Sequence, residues 1–298
     1  MKVLVAGAAG QVARALAETV PPKGVHVTVL GRPQLDVTDP GSVRAVFEEV
    51  RPDIVINAAA YTAVDAAETD EAAAFALNSQ GPRNLAAAAA DLGAPILQLS
   101  TDYVFSGEKD VPYTESDPVA PLGVYGRSKL AGEQTVAAAN PRYLIFRTAW
   151  VYSPVGKNFV KTMLRVAEMR DEVSVVDDQF GNPTSASDIA AALWHIVSRL
   201  RGDASDWLPG VYHMTGSGAA SWAEFAEEIF RASKALGGPV ASVRRIPSSE
   251  YPTATRRPAN SRLDCAKLSG AFGAILPQWQ TSTRVCVESL IKTRGWAS

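Results

Sequence analysis

Tyr125 and Lys129 stand four residues apart in Val124-Tyr125-Gly126-Arg127-Ser128-Lys129. On a helix that spacing puts both side chains on one face, a turn apart. An ammonium beside a phenol favours the phenolate and lowers a pKa otherwise near ~10. Such a phenol can pass a proton at neutral pH. Thr101 follows the apolar run Ala94-Pro95-Ile96-Leu97-Gln98-Leu99, where its hydroxyl could hydrogen-bond the same substrate oxygen. Alone, Tyr-x-x-x-Lys also describes a half-buried aromatic beside a snorkelling lysine. The surrounding elements decide between the two.

Val3-Leu4-Val5-Ala6 reads as a strand and runs into Gly7-Ala8-Ala9-Gly10-Gln11-Val12-Ala13, then a helical pattern, Arg14–Glu18. Glycines in such a turn let backbone approach a pyrophosphate, and the helix start offers free N–H groups to the anion. The alternative is a tight strand-to-helix turn that binds nothing. The second strand, Val25–Leu30, ends in Leu30-Gly31-Arg32. An Asp or Glu here would suit a free ribose hydroxyl. Arg32 suits a 2′-phosphate instead, which favours NADPH over NADH, although a solvated loop residue is the other reading. Asp36 is the sort of residue that accepts from an adenine amino group. Thr38 or Asp39 can cap a helix around Ser42–Val50.

The strand Asp53–Asn57 leads into Ala58-Ala59-Ala60-Tyr61-Thr62, small enough for a cofactor to lie across it or for close helix packing. Helices are expected at Glu71–Leu77 and Pro82–Asp91, with Gly93 as a C-cap. The strand before Thr101, a helix from about Leu122 and a strand at Tyr143–Arg147 complete the alternation. This is an α/β pattern, a Rossmann-type doubly wound parallel sheet, with its site at the strands' C-terminal ends, where Gly10, Ala60 and Thr101 fall.

After Thr148 the rhythm changes. Helices are expected at Phe159–Met169, Asp188–Leu200, Trp222–Lys234 and about Thr283–Lys292, with a strand at Val211–Met214. Two units follow: a sheet unit of 1–148 plus about 186–216, and a smaller C-terminal α/β unit of about 149–185 plus 217–298. Adjacent Arg256 and Arg257 lie in the one dense basic segment, which either clamps a diphosphate bidentately or is a solvated charged loop.

Of 298 residues, 47% are hydrophobic and 20% charged, an ordinary globular balance. The formal net charge of -2 gives no reason to expect nucleic acid, so the partner is a small molecule. Cys265 and Cys286 lack CxxC spacing and support neither a disulfide scaffold nor a zinc site; no metal is expected. A reduced cytosolic setting fits them. The N-terminal run reads as a strand rather than a signal peptide, and no apolar run is long enough to span a bilayer. His26, His195 and His213 are scattered and read as surface or satisfied core residues.

The Gly-rich turn, Ser100-Thr101-Asp102-Tyr103-Val104-Phe105 and Tyr-x-x-x-Lys occur in the order of an extended short-chain dehydrogenase/reductase. Asn57–Asp65, Pro121–Lys129, Phe146–Tyr152, Asp178–Thr184 and Tyr251–Leu263 resemble, more narrowly, the dTDP-4-dehydrorhamnose reductase family. That resemblance covers nearly the whole chain. It implies NADPH-dependent reduction of the C4 keto group of dTDP-4-dehydro-L-rhamnose, with an NADP-binding first unit and a nucleotide-sugar-binding second unit. It makes Tyr125 the proton donor, Lys129 the group that lowers the phenol's pKa and holds the nicotinamide ribose, and Thr101 a hydrogen-bond partner of the reacting oxygen. It puts Gly7, Gly10, Gln11 and Val12 at the pyrophosphate. Asp36 and Val37 fall near the adenine, with Ala60, Tyr61 and Thr62 along the cofactor. Asp102 and Trp150 contact the sugar, and Arg256–Arg257 the diphosphate. Ala13 replaces a third glycine, which the turn tolerates. Open beside this reading are a non-catalytic NADP-binding subunit resembling methionine adenosyltransferase beta, another nucleotide-sugar reductase or epimerase, NADH as cofactor, and a homodimer.

Overall fold

Val3, Leu4, Val5 and Ala6 are all fully buried, as in a strand covered on both faces. They belong to β1 (Lys2–Ala6). The computed structural model describes residues 1–200 and 208–296. From β1 the chain continues through α1 (Gln11–Glu18), β2 (His26–Leu30), α2 (Pro40–Val50) and β3 (Ile54–Asn57). Two short helices, α3 (Val64–Ala67) and α4 (Glu71–Phe75), lead through a π-helical turn (Ala76–Gln80) into α5 (Gly81–Asp91). Then come β4 (Ile96–Thr101), α6 (Val124–Ala139) and β5 (Tyr143–Thr148).

The second half runs β6 (Val151–Tyr152), α7 (Phe159–Ala167), β7 (Glu172–Val176), β8 (Phe180–Gly181), β9 (Thr184–Ser185) and α8 (Ala186–Arg199). It finishes with β10 (Gly210–His213), β11 (Ala220–Ser221), α9 (Trp222–Ala235), β12 (Ser242–Ile246), α10 (Ala266–Phe272) and α11 (Trp279–Thr293).

Six parallel strands form one sheet in the order β10-β5-β4-β3-β1-β2. Strand order reverses at β1, with β2 on one side and β3 on the other, so a crevice opens at their C-terminal ends. Alternate residues feed opposite faces. Val3, Val5, Leu97 and Phe146 pack with α1 and α8, whereas Leu4, Val55, Ile96 and Ile145 pack with α2, α5 and α6. This is the doubly wound Rossmann-type arrangement that the alternation of elements predicts. A separate apolar cluster joins α7, α9 and α11 around Phe225, Ile229, Trp279 and Leu290. Residues 201–207 of the first expected unit and 297–298 of the second lie outside the described residues.

Local chemistry moves several boundaries. α2 starts before Ser42 because the Asp39 side chain accepts the Gly41 N–H at 2.9 Å and Pro40 opens the helix. The parallel pairing of β7 with β12 has no signal in the local pattern; some 65 residues, with α8 and α9 among them, separate the two strands in sequence. No helix among the described residues is long and apolar enough to cross a membrane.

Candidate active site

The Gly-rich turn sits at the crevice between β1 and β3. Gly7 has φ +102°, and a Cβ there would lie 2.6 Å from the Ala59 backbone nitrogen, so only glycine fits. The turn is held by the N–H groups of Gly7 and Ala8, which both donate to the Leu30 carbonyl, and by Gly10, which donates to Gly7. The α1 N-cap, Gly10, offers no side-chain acceptor, and the first turn of α1 carries no acid. Its N–H donors are therefore left for an anion.

The turn opens on a cleft of about 740 Å³. The cleft wall takes in Gly7, Gly10, Gln11, Val12, Arg32, Val37, Ala60 and Thr62 at one end, and Thr101, Asp102, Tyr125, Lys129 and Trp150 at the other. Its charged members are Arg32, Asp102, Lys129 and Lys157, so the balance favours an anionic ligand. A dinucleotide diphosphate fits this set: uncapped N–H groups at α1, small residues at the β3 end, and Arg32 at the β2 end.

Two expected cofactor residues are absent from that wall. Asp36 is occupied locally, accepting from Thr38 N at 2.9 Å and Thr38 Oγ1 at 2.7 Å, and pairing with Arg32 Nε at 3.1 Å. The Thr38 bonds, then the Arg32 charge, hold its carboxyl below the usual range. Tyr61 directs its hydroxyl to Asp70 at 3.3 Å, and its backbone is pinned by buried Asn78, which accepts from Tyr61 N and donates to Tyr61 O. Asn78 also donates to Ser128 Oγ at 3.0 Å, joining this loop to α6. Neither Asn78 nor Lys157 was singled out in the sequence, since a lone Asn or Lys carries no spacing signal.

Tyr125, Thr101 and Lys129 do come together. α6 starts at Val124, whose N–H donates to Glu68 Oε1 at 2.8 Å, and this sets Tyr125 in the first turn beside Thr101 at the end of β4. The phenol is the point of correction. Lys129 is expected from the spacing to lower its pKa, but burial dominates and pushes the Tyr125 hydroxyl well above an ordinary phenol; the neighbouring Thr101 hydroxyl opposes this and the Asp102 charge reinforces it. The Lys129 ammonium donates to the Leu99 carbonyl at 2.7 Å, and burial draws its own pKa down to about 8.

Asp102 is 2% exposed. Its Oδ1 accepts from Thr101 Oγ1 at 2.9 Å, while Oδ2 is buried without a hydrogen-bond partner. Burial raises its carboxyl to about 6, against the Thr101 and Ser261 hydroxyls, which favour the charged form. The Ser261 hydroxyl is itself turned to the Phe180 carbonyl at 3.3 Å. An orphaned acceptor at the cleft wall suits a hydroxylated ligand. Trp150 has φ +47°, uncommon for a non-glycine residue. Its ring stacks on Trp222 at a centroid distance of 3.5 Å, and Gly181 lies under it.

Arg256 and Arg257 line a second cavity, of about 680 Å³, together with Tyr251, Asn260 and Arg262. Arg256 is exposed, with only a loose pairing to Glu108 at 3.9 Å. Arg257 reaches the first cleft by donating to the Tyr103 hydroxyl at 3.1 Å. Gln11, expected at the pyrophosphate, lines the cleft while its side-chain carbonyl accepts from Ser153 and Asn158, each at 2.9 Å.

Residues 1–291 match the RmlD substrate binding domain family. The chain belongs to that family. It is an oxidoreductase family: a relative named dTDP-4-dehydrorhamnose reductase from Sinorhizobium fredii is 50% identical over 291 residues, 98% of each chain. A crystal structure of a dTDP-4-dehydrorhamnose reductase from Clostridium acetobutylicum superposes with a TM-score of 0.90 at 41% identity, covering 97% of this chain and 99% of that one. Another, from Bacillus anthracis in complex with NADP, has a TM-score of 0.89 at 35% identity, with the same coverage.

Proposed function

We propose that this family member reduces the C4 keto group of dTDP-4-dehydro-L-rhamnose to give dTDP-L-rhamnose, with NADPH as cofactor. The observation that carries the chemistry is the meeting of Tyr125, Thr101 and Lys129 in a cleft that begins at an uncapped, Gly-rich helix start. Bound NADPH supplies hydride to the C4 carbon. Gly7, Gly10 and the first N–H groups of α1 hold the pyrophosphate, and Arg32 takes the 2′-phosphate.

Negative charge develops on the C4 oxygen as the hydride arrives. Tyr125, kept protonated at neutral pH by its burial, hands its proton to that oxygen, which is more basic as an alkoxide. The Thr101 hydroxyl, which donates to Asp102 Oδ1 at 2.9 Å without substrate, turns its proton to that oxygen and shares its charge. Lys129 supplies a cation on the same helix face as Tyr125, holds a ribose hydroxyl, and steadies the phenolate until it is reprotonated. Asp102 accepts from a sugar hydroxyl and Trp150 contacts the sugar. Arg256 and Arg257 take the diphosphate in the adjoining cavity. In this reading residues 1–148 with 186–216 serve the cofactor, and 149–185 with 217–298 the nucleotide sugar.

The test is oxidation of NADPH, followed by its absorbance, with freshly made dTDP-4-dehydro-L-rhamnose. Tyr125→Phe is expected to lose about 10²-fold or more in turnover while still binding NADPH. Wild-type-like turnover in that variant would remove Tyr125 from the chemistry. NADPH binding without any turnover of the wild type would favour a non-catalytic role.

A further inference from the structure

Tyr125, Lys129 and Glu133 recur every four residues along α6, and each meets one of the last three residues of β4. Tyr125 lines the cleft beside Thr101. Lys129 donates to the Leu99 carbonyl at 2.7 Å, and Ser100 Oγ donates to Glu133 Oε1 at 2.6 Å. Arg147 on β5 grips Glu133 with both arms of its fork, Nε to Oε1 at 2.9 Å and Nη2 to Oε2 at 2.7 Å. Each side chain of this pair is 5% exposed.

A buried ion pair contributes little net stability, because desolvating both charges offsets their attraction; an apolar pair of similar size would serve the fold as well. Its placement directly behind the site calls for another explanation. We propose that Glu133 is a positioning residue of the reductase site: gripped by Ser100 and Arg147, it sets α6 on β4 and lays a negative charge one turn behind the Lys129 ammonium. This rests on the roles assigned above to Tyr125 and Lys129.

The charged and titratable groups around this stretch are Tyr125 and Lys129 on α6, Asp102 and Tyr103 after β4, Arg147 on β5, and His213 opposite Arg147 on β10. His213 contributes no charge at neutral pH, since burial and Arg147 hold it down at about 4. Burial drives Lys129 towards neutrality and Glu133 is the group that opposes it. Removing the Glu133 charge therefore moves the Lys129 titration to lower pH, and leaving Arg147 alone moves it further.

The experiment compares the wild type with Glu133→Gln and with the double variant Glu133→Gln/Arg147→Met, which also removes the guanidinium that loses its partner if the single variant folds poorly. The Lys129 midpoint is read from the 13Cε signal of labelled lysine, assigned through its loss in Lys129→Arg, and the alkaline limb of reductase activity is measured alongside. The expected result is a midpoint lower by about one pH unit in Glu133→Gln, with the double variant between it and the wild type, and a limb that follows. A wild-type midpoint in the folded variants overturns the proposal, since a purely structural role lowers activity without moving it. Absence of turnover in the wild type defeats the reductase reading instead, and leaves the midpoint to decide on Glu133.

Discussion

Arg257 donates to the Tyr103 hydroxyl at 3.1 Å, although the two are 154 positions apart in sequence. The same guanidinium pairs with Asp65 Oδ2 at 2.6 Å, and the Tyr103 ring meets the Tyr125 ring edge-on at 5.5 Å. A loop from the C-terminal third of the chain thus braces the aromatic beside the proposed proton donor. The fork geometry matters here, because two acceptors in different directions cannot both be reached by a single ammonium in the same way.

Arg257→Lys keeps the charge and loses the fork. The nucleotide-sugar KM should rise about 10-fold, the effect of losing one charged hydrogen bond, with NADPH affinity unchanged. Steady-state kinetics with each substrate varied in turn tests this. A selective loss of NADPH affinity would place Arg257 at the wrong end of the site.

Gly181 is the floor beneath Trp150. A Cβ at this position would fall 2.4 Å from the indole ring, which is already stacked on Trp222. The indole cannot retreat without breaking that stack, so Gly181→Ala should displace Trp150 and raise the sugar KM more than it lowers kcat. Tryptophan fluorescence should change with it. An unchanged spectrum together with an unchanged KM would mean that Trp150 is free to shift.

Cofactor choice is expected to rest on Arg32. Its side chain is 64% exposed and leans on Asp36 through one contact at 3.1 Å, leaving most of the fork available. Arg32→Ala should weaken NADPH about 10- to 100-fold, as expected for charge-assisted bonds to a phosphate, and leave NADH nearly unaffected. Titrating both cofactors decides it, and equal weakening of the two would point to a general charge effect.

Asp102 gives a stability signature with a definite sign. Its pKa rises from 3.8 in the unfolded chain to about 6 in the fold, so between those values the native state holds the extra proton. Stability contributed by this group is therefore present at low pH and lost as pH rises from about 4 to about 6. The loss is on the order of 1–3 kcal/mol above that window. Asp102→Asn should be more stable than the wild type at pH 7.5 and no more stable at pH 4, while binding the sugar less well. Thermal melts at the two pH values test this, and an equal offset at both would remove the titration from the account.

The fold and the heart of the site are local properties, and the sequence alone determined them. Gly7 to Ala13 between a strand and a helix, Thr101 at the end of an apolar run, and Tyr125 with Lys129 at helical spacing all depend on period and turn chemistry within a few residues. Once the strands and helices alternate, a parallel sheet must bring their C-terminal ends together, and the pieces arrive in one cleft. Tertiary structure alone decided what no local pattern encodes. Arg257 on Tyr103, Gly181 under Trp150, Asn78 on Tyr61 and Arg147 on Glu133 join segments whose sequence separation says nothing about their meeting. It also decided the charge states. The spacing of Tyr125 and Lys129 suggested an acidified phenol, whereas the fold buries both groups and gives the ammonium to the Leu99 carbonyl. The cost of desolvation depends on everything packed around a group, and spacing along one helix does not contain it.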